Sequence, residues 1–193
     1  DASSMLQDII KNKTLKANGI LGVYPANSNG DDIEVYSPVS GHGIMAEFRT
    51  IRQQFEKASS QPSFALSDFI APKDSGMQDY IGAFAVTAGI NVKETADWYQ
   101  AANDDYSSIM IKAVADRLAE AFAEYLHFYL RREFWGYSPD EEFNNEALIG
   151  ENYIGIRPAP GYPSQPDHTE KVTLFNLLKA QENTDISLTE NLA

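Results

Sequence analysis

The stretch from Asp105 to about Glu133 constrains the fold most. Ile111, Val114, Leu118, Phe122, Tyr125 and Tyr129 recur along it at helical spacing and make one apolar stripe. A helix this long needs a broad partner surface, and the rest of the chain offers one. Residues 2–13, with Met5, Leu6, Ile9 and Ile10 at helical spacing, read as a helix, and residues 91–102 as another. Strand signals alternate with these. Gly19 to Pro25 reads as a buried strand that closes at the proline, Asn27–Gly30 as a turn, and Asp32–Tyr36 as a returning strand, so residues 20–36 suggest a hairpin. Residues 44–57 fit either pattern, and the spacing of Phe48, Ile51 and Phe55 favours a helix. Leu66–Ile70 is a short element, followed by a loop from Pro72 to Gly76. Tyr80–Thr87 reads as a central strand whose small residues permit close packing. Ser138-Pro-Asp-Glu141 looks like the acidic start of a short helix ending near Leu148–Gly150, and Asp167–Glu170 opens a further helix over 170–181. Residues 186–193 look like the start of an element that does not close. The expectation is one α+β domain over 1–193, with helices packed around a bent, mostly antiparallel sheet.

Composition narrows the function classes. With 193 residues, 43% of them hydrophobic, the chain can bury a core rather than remain disordered. It contains no cysteine, which removes disulfides, thiolate metal sites and cysteine nucleophiles together. A formal net charge of -13 repels nucleic acid and anionic membranes, and no basic cluster offsets it. The apolar run Tyr80–Ile90 is too short to span a bilayer, and no secretory leader is visible, so a cytoplasmic location is expected. A chain that opens on Asp1 is expected to be a processed or excised segment.

Two segments could carry chemistry. Arg157-Pro-Ala-Pro-Gly-Tyr-Pro163 is stiff, because its three prolines fix φ and remove amide donors, and Ala159 precedes one of them. Gly161 permits close backbone approach, Arg157 offers a planar fork for a carboxylate, and Tyr162 offers an aromatic face. That set suits a nucleotide bearing an amino acid; a rigid crossover loop with a surface arginine is the competing reading. On the long helix, Asp116, Glu120, Glu124 and His127 share one face. The row could attract a cation such as a sulfonium. Glu124-x-x-His127 also has the spacing of carboxylate-bridged di-iron sites, but neither His42 nor His168 has a glutamate three residues before it. A solvated helix face explains the row most simply, with His127 favouring the helix C-terminus. The phosphate-cradling glycine patterns GxGxxG and GxxxxGK are absent, and no serine sits in a nucleophile elbow.

Taken together, these segments resemble the activation domain of cobalamin-dependent methionine synthase. Arg157-x-x-x-Gly161-Tyr162 matches the family's RxxxGY motif. Thr14-Leu15, Pro25-Ala-Asn27 and Gly30-Asp-Asp-Ile33 resemble its TL…G…G..PAN..GDDI segment; Leu66–Gly76, Asp79–Thr87, Asp104–His127, Phe134–Tyr137, Glu151–Pro163 and Pro166–Lys171 continue the likeness over nearly the whole chain. The resemblance implies an α+β fold and a role in reactivation. The domain would bind S-adenosylmethionine so that an electron from a flavodoxin-type donor and the ligand's methyl group convert cob(II)alamin back to methylcobalamin. The resemblance also implies that Arg157 holds the ligand carboxylate, that Ala159 and Gly161 give backbone contacts, and that Tyr162 lines the site. Glu120 and Glu151 stand as acidic groups near the sulfonium, and Asp116 and His168 as contacts to the cobalamin-binding domain of the same enzyme. Cobalamin belongs to that other domain, no residue of this segment is catalytic, and no metal is bound. The parent enzyme is expected to be the 5-methyltetrahydrofolate–homocysteine S-methyltransferase of methionine biosynthesis. Members of the family are longer at both ends, so 1–193 is expected to be the central part of such a domain. Ser164 and Gln165 stand where many members have alanine and cysteine. A docking fragment that holds no ligand alone, and a carboxylate-bridged metal enzyme, are the other two readings.

Overall fold

A computed structural model gives the architecture and describes residues 1–41, 43–57 and 61–192; His42 lies outside them. Four strands form one sheet in the order β3-β2-β1-β4: β1 (Lys16–Asn29), β2 (Asp32–Tyr36), β3 (Ile44–Arg49) and β4 (Asp79–Ile90). Both β1–β2 and β2–β3 are antiparallel. Among the described residues, six α-helices accompany them: α1 (Ala2–Asn12), α2 (Val92–Ala101), α3 (Asp105–Tyr129), α4 (Asn145–Ile149), α5 (Glu170–Leu178) and α6 (Ala180–Thr184). The α+β class is therefore as expected. No helix among the described residues is long and apolar enough to cross a membrane.

The chain forms two compact units. One comprises residues 1–20, 85–152 and 184–186, the other residues 21–84, 153–183 and 187–193, so that β1 and β4 contribute residues to both.

The first unit is built on α3. Its N-terminus is capped by Asp104, whose Oδ1 accepts from the Ser107 amide at 3.0 Å. That bond holds the Asp104 carboxyl below its ordinary range. Ile111 and Val114 meet Ile9 of α1 and Ala96 of α2 in a buried cluster, with Met5, Leu15, Tyr99 and Leu118 around it. Beyond Leu118 the buried stripe differs from the expected one. Tyr125 and Tyr129 are exposed, while Leu126, Phe128 and Leu130 are buried. Burial follows Val114, Leu118, Phe122, Leu126 and Leu130, steps of four that drift around a 3.6-residue helix. The tyrosines tolerate the wet side because each has a hydroxyl. Leu130–Phe134 then forms a π-helical turn, in which the Trp135 amide reaches the Leu130 carbonyl at 2.8 Å.

In the second unit, the hairpin places Ala26, Ile33 and Val35 with Phe48 and Ile70 in a core that Leu174 and Leu177 of α5 also reach. Strand β1 does not stop at Pro25. Pairing with β2 begins at Ala26↔Val35, so Pro25 lies at the end of that ladder, where its missing amide costs nothing. The turn is the two-residue loop Gly30-Asp31, closed by Asn29↔Asp32, with Gly30 at φ 64°.

Residues 44–57 form a strand and a loop rather than a helix. Ala46 and Phe48 alternate inward while Met45 and Arg49 are exposed, and Phe48 pairs with Ile33. The period-2 signal in Met45–Arg49 outweighs the spacing of Ile51 and Phe55, which are exposed. Strand β4 is a terminal strand of the sheet, not a central one. Its small residues gave the impression of a strand paired on both sides. Residues 138–141 are a turn, and α4 starts later on the Asn144 cap, whose Oδ1 accepts from the Ala147 amide at 3.0 Å. The 170–181 helix is divided by Lys179, which adopts a left-handed conformation between α5 and α6.

Candidate functional site

The Arg157–His168 segment lies wholly in the second unit, which brings Arg157, Ala159, Gly161, Tyr162 and His168 together on one loop. Its prolines leave fewer amides, and three of the remaining ones are used within the loop. The Tyr162 amide donates to the Ala159 carbonyl at 2.9 Å, the Gly161 amide to the Gln165 carbonyl at 2.8 Å, and the Gln165 amide back to the Tyr162 carbonyl at 2.9 Å. Gln165 is buried, and the Leu66 amide donates to the Ser164 carbonyl at 2.9 Å, tying the loop to the short 3-10 helix Leu66–Phe69. Ser164 and Gln165 carry no functional signal in the sequence; their backbone groups nevertheless fix the loop.

Gly161 has φ 106°, a conformation that essentially only glycine adopts. The side of Gly161 where a Cβ would project is filled by the His168 imidazole, not open to a ligand. Arg157 is half-buried, whereas Tyr162 leaves 57% of its surface in solvent. A guanidinium at one end and an aromatic face at the other suit a carboxylate and a planar base. The Gly161 amide is already spent, while the amide of Ala159 takes part in none of these bonds.

Beside the loop, Asp167 Oδ1 accepts from both the amide (2.8 Å) and the hydroxyl (2.7 Å) of Thr169. The hydroxyl bond, reinforced by the amide, holds the Asp167 carboxyl below its ordinary range. Glu170 opens α5 and is buried; burial pushes its carboxyl up, against hydrogen bonds from the Arg49 backbone and Thr173.

The remaining predicted residues belong to the first unit. Asp116 and Glu120 stand one turn apart on α3, both exposed, and Glu120 pairs with Arg117 at 2.8 Å. The solvated-face reading holds for these two. It fails further along, where Glu124 is half-buried and His127 buried. Glu151 follows α4 at φ 53°, unusual for a residue with a side chain. Its amide reaches the Leu148 carbonyl at 3.1 Å, and the Asn152 amide reaches the Ala147 carbonyl at 2.9 Å. Backbone held in such a conformation by its neighbours accompanies functional positions more often than chance.

Two arrangements escape sequence reasoning. In the first unit, Arg131 is fully buried and grips Glu141 with two hydrogen bonds, Nε to Oε2 at 2.8 Å and Nη2 to Oε1. Nothing in Leu130-Arg-Arg-Glu-Phe134 marks Arg131 as the inward arginine; the π-turn decides it. In the second unit, buried Glu34 accepts from Asn29 (2.9 Å), Tyr36 (2.9 Å) and Lys73 (2.6 Å). A cavity of about 620 Å³ beside this cluster is lined by Ser28, Asn29, Ser67, Asp68, Lys73 and Asp74 among others. None of its lining residues belongs to the Arg157–His168 loop. Its charges are largely spent internally, Lys73 on Glu34 and Asp68 on Arg52 at 2.7 Å, so the loop remains the better candidate.

The sequence profile of the vitamin B12 dependent methionine synthase activation domain matches residues 1–193. The crystal structure of the MetH reactivation domain bound to AdoHcy is similar at 51% identity with a TM-score of 0.94, over 100% of this chain and 59% of that one. The chain thus spans little more than half the length of the solved domain it matches.

Proposed function

The chain belongs to the family of vitamin B12 dependent methionine synthase activation domains, and from that membership we propose that it binds S-adenosylmethionine on the Arg157–Tyr162 loop. Arg157 holds the ligand carboxylate by a charge-assisted fork, Ala159 and Gly161 meet it through backbone groups, and Tyr162 covers the planar part. Glu120 and Glu151 favour the sulfonium by charge. Asp116 and His168 face the cobalamin-binding domain of the parent enzyme.

The role of the domain is reductive reactivation in the cytoplasm. A flavodoxin-type donor supplies an electron, S-adenosylmethionine supplies the methyl group, and cob(II)alamin on the neighbouring domain becomes methylcobalamin. This segment contributes binding and orientation, and the parent enzyme is the methyltransferase that makes methionine from homocysteine.

One observation carries the reading. A domain 51% identical over all of this chain was solved with AdoHcy, the demethylated form of the proposed ligand. The preformed loop supports it, since a site already rigid loses little entropy on binding.

Calorimetric titration with S-adenosylmethionine tests it. Arg157→Ala should weaken binding by about 1.5–3 kcal/mol, roughly 10- to 150-fold. Equal affinity in the variant removes Arg157 from the site. No binding by the folded wild-type chain favours the docking reading, in which the segment engages its partners without holding ligand.

A further inference from the structure

We propose that His168 is the positioning residue of the ligand loop: its imidazole takes the place of the side chain that Gly161 lacks and holds the turn that presents Arg157 and Tyr162. The proposal rests on the reading of this loop as the S-adenosylmethionine site.

A methyl group built on Gly161 would stand 2.8 Å from Nε2 and 3.1 Å from Nδ1 of His168, and closer still to Cε1. No carbon sits that near a ring, so the imidazole lies directly against the glycine Cα. Glycine at 161 therefore answers two separate demands, a backbone at φ 106° and room for the ring. The loop needs such a support. Three of its residues are prolines without amides, and its internal bonds are few.

The backbone that carries the ring is itself held. Asp167 Oδ1 fixes the 167–169 turn through Thr169, and the Lys171 amide takes the His168 carbonyl at 3.1 Å as α5 begins. Helix α5 packs on β3. His168 thus adds the position of α5 to the ties that the Ser164 carbonyl and buried Gln165 already give the loop. His168 as a whole remains exposed.

The test follows the amides of Gly161 and Gln165, which bond across the turn, by hydrogen exchange on the ligand-free chain, and titrates the same proteins with S-adenosylhomocysteine. His168→Ala and His168→Asn should speed exchange at both amides about tenfold and weaken the ligand by a similar factor, since the turn opens locally. His168→Phe keeps a flat ring and should restore both to within about twofold of wild type. Exchange in the middle of α5 should not change in any variant. Wild-type exchange and affinity in His168→Ala would overturn the proposal, as would a Phe variant no better than Ala. If the wild type takes up no ligand, the site reading fails, and the exchange comparison alone still decides the role of His168.

Discussion

Removing the carboxylate of Glu141 should be among the most damaging single changes outside the ligand loop. Arg131 has no exposed surface, and Glu141 has only 18% of its side chain in solvent. Two parallel hydrogen bonds join them. Glu141→Ala leaves a buried guanidinium without that partner, and breaking a buried pair in this way costs about 3–5 kcal/mol. Set against a total stability of about 5–15 kcal/mol for a domain, that is a large fraction. At about 2–4 °C per kcal/mol for a chain of this size, the melting temperature should fall by roughly 6–20 °C. Urea denaturation followed by far-UV circular dichroism measures it. The double variant Arg131→Met with Glu141→Leu removes both charges and should recover most of the loss. A Glu141→Ala protein within about 1 kcal/mol of wild type would refute the reasoning, because a dry cation that has lost its carboxylate cannot be that cheap. So would a double variant worse than the single one. The pair also organises the segment downstream of it. The Ser138 amide donates to the Arg131 carbonyl at 3.0 Å, and the chain fixed there leads into α4 and Glu151.

Two carboxyl groups in the second unit should respond to pH with opposite signs. The hydrogen bond from Lys73, then that from Asn29, hold Glu34 below its ordinary range despite its burial. Its contribution is present above the unfolded value, near 4.3, and is lost as pH falls through the folded value; the urea midpoint should drop on acidification below that range, and Glu34→Gln should flatten the drop. Glu170 is raised by burial, so the folded state resists its ionisation, and stability is lost as pH rises through the folded value. Glu170→Gln keeps an acceptor for Arg49 and Thr173 and should therefore raise the midpoint at pH 7, by about 1 kcal/mol in unfolding free energy; a lower midpoint would mean that the ionised form is the stabilised one.

Regular periodicity was legible in the sequence where one surface decides the structure. Helices α1, α2 and α3 announce themselves because one face is buried and the opposite one is wet. The β1–β2 hairpin is legible from its alternation and from Gly30. Segments with competing patterns were not. In 44–57, two interleaved signals lie on the same residues, and only the partner strand chooses between them: Phe48 against Ile33 settles it. The acidic start at Ser138 is likewise overruled from a distance, since Glu141 is taken by Arg131 before it can open a helix. The Arg157–Tyr162 residues stand out in the sequence as a group because proline, glycine and arginine are rare in that arrangement, and the structure places them on one loop. Gln165 does not stand out, because its contribution is a carbonyl and an amide that any residue possesses.

The placement of prolines sorts the backbone groups of the ligand loop. Pro158, Pro160 and Pro163 have no amide to offer, and the amides of Gly161, Tyr162 and Gln165 are turned inward to hold the loop's own shape. Ala159, set between two prolines, keeps an amide outside that set, and its extended geometry is imposed by the residue after it. On the proposed reading, a carboxylate held by Arg157 would therefore find a backbone donor two residues away, beside a proline that restricts its conformation. The apparent wastefulness of a loop with so few hydrogen bonds is what leaves that donor outside them, and the support lost by removing amides is returned by the ring at the loop's far end, His168 against Gly161. Rigidity and an available donor conflict in most loops, because amides that stiffen a turn are no longer free to bind; here proline supplies the stiffness without consuming the donor.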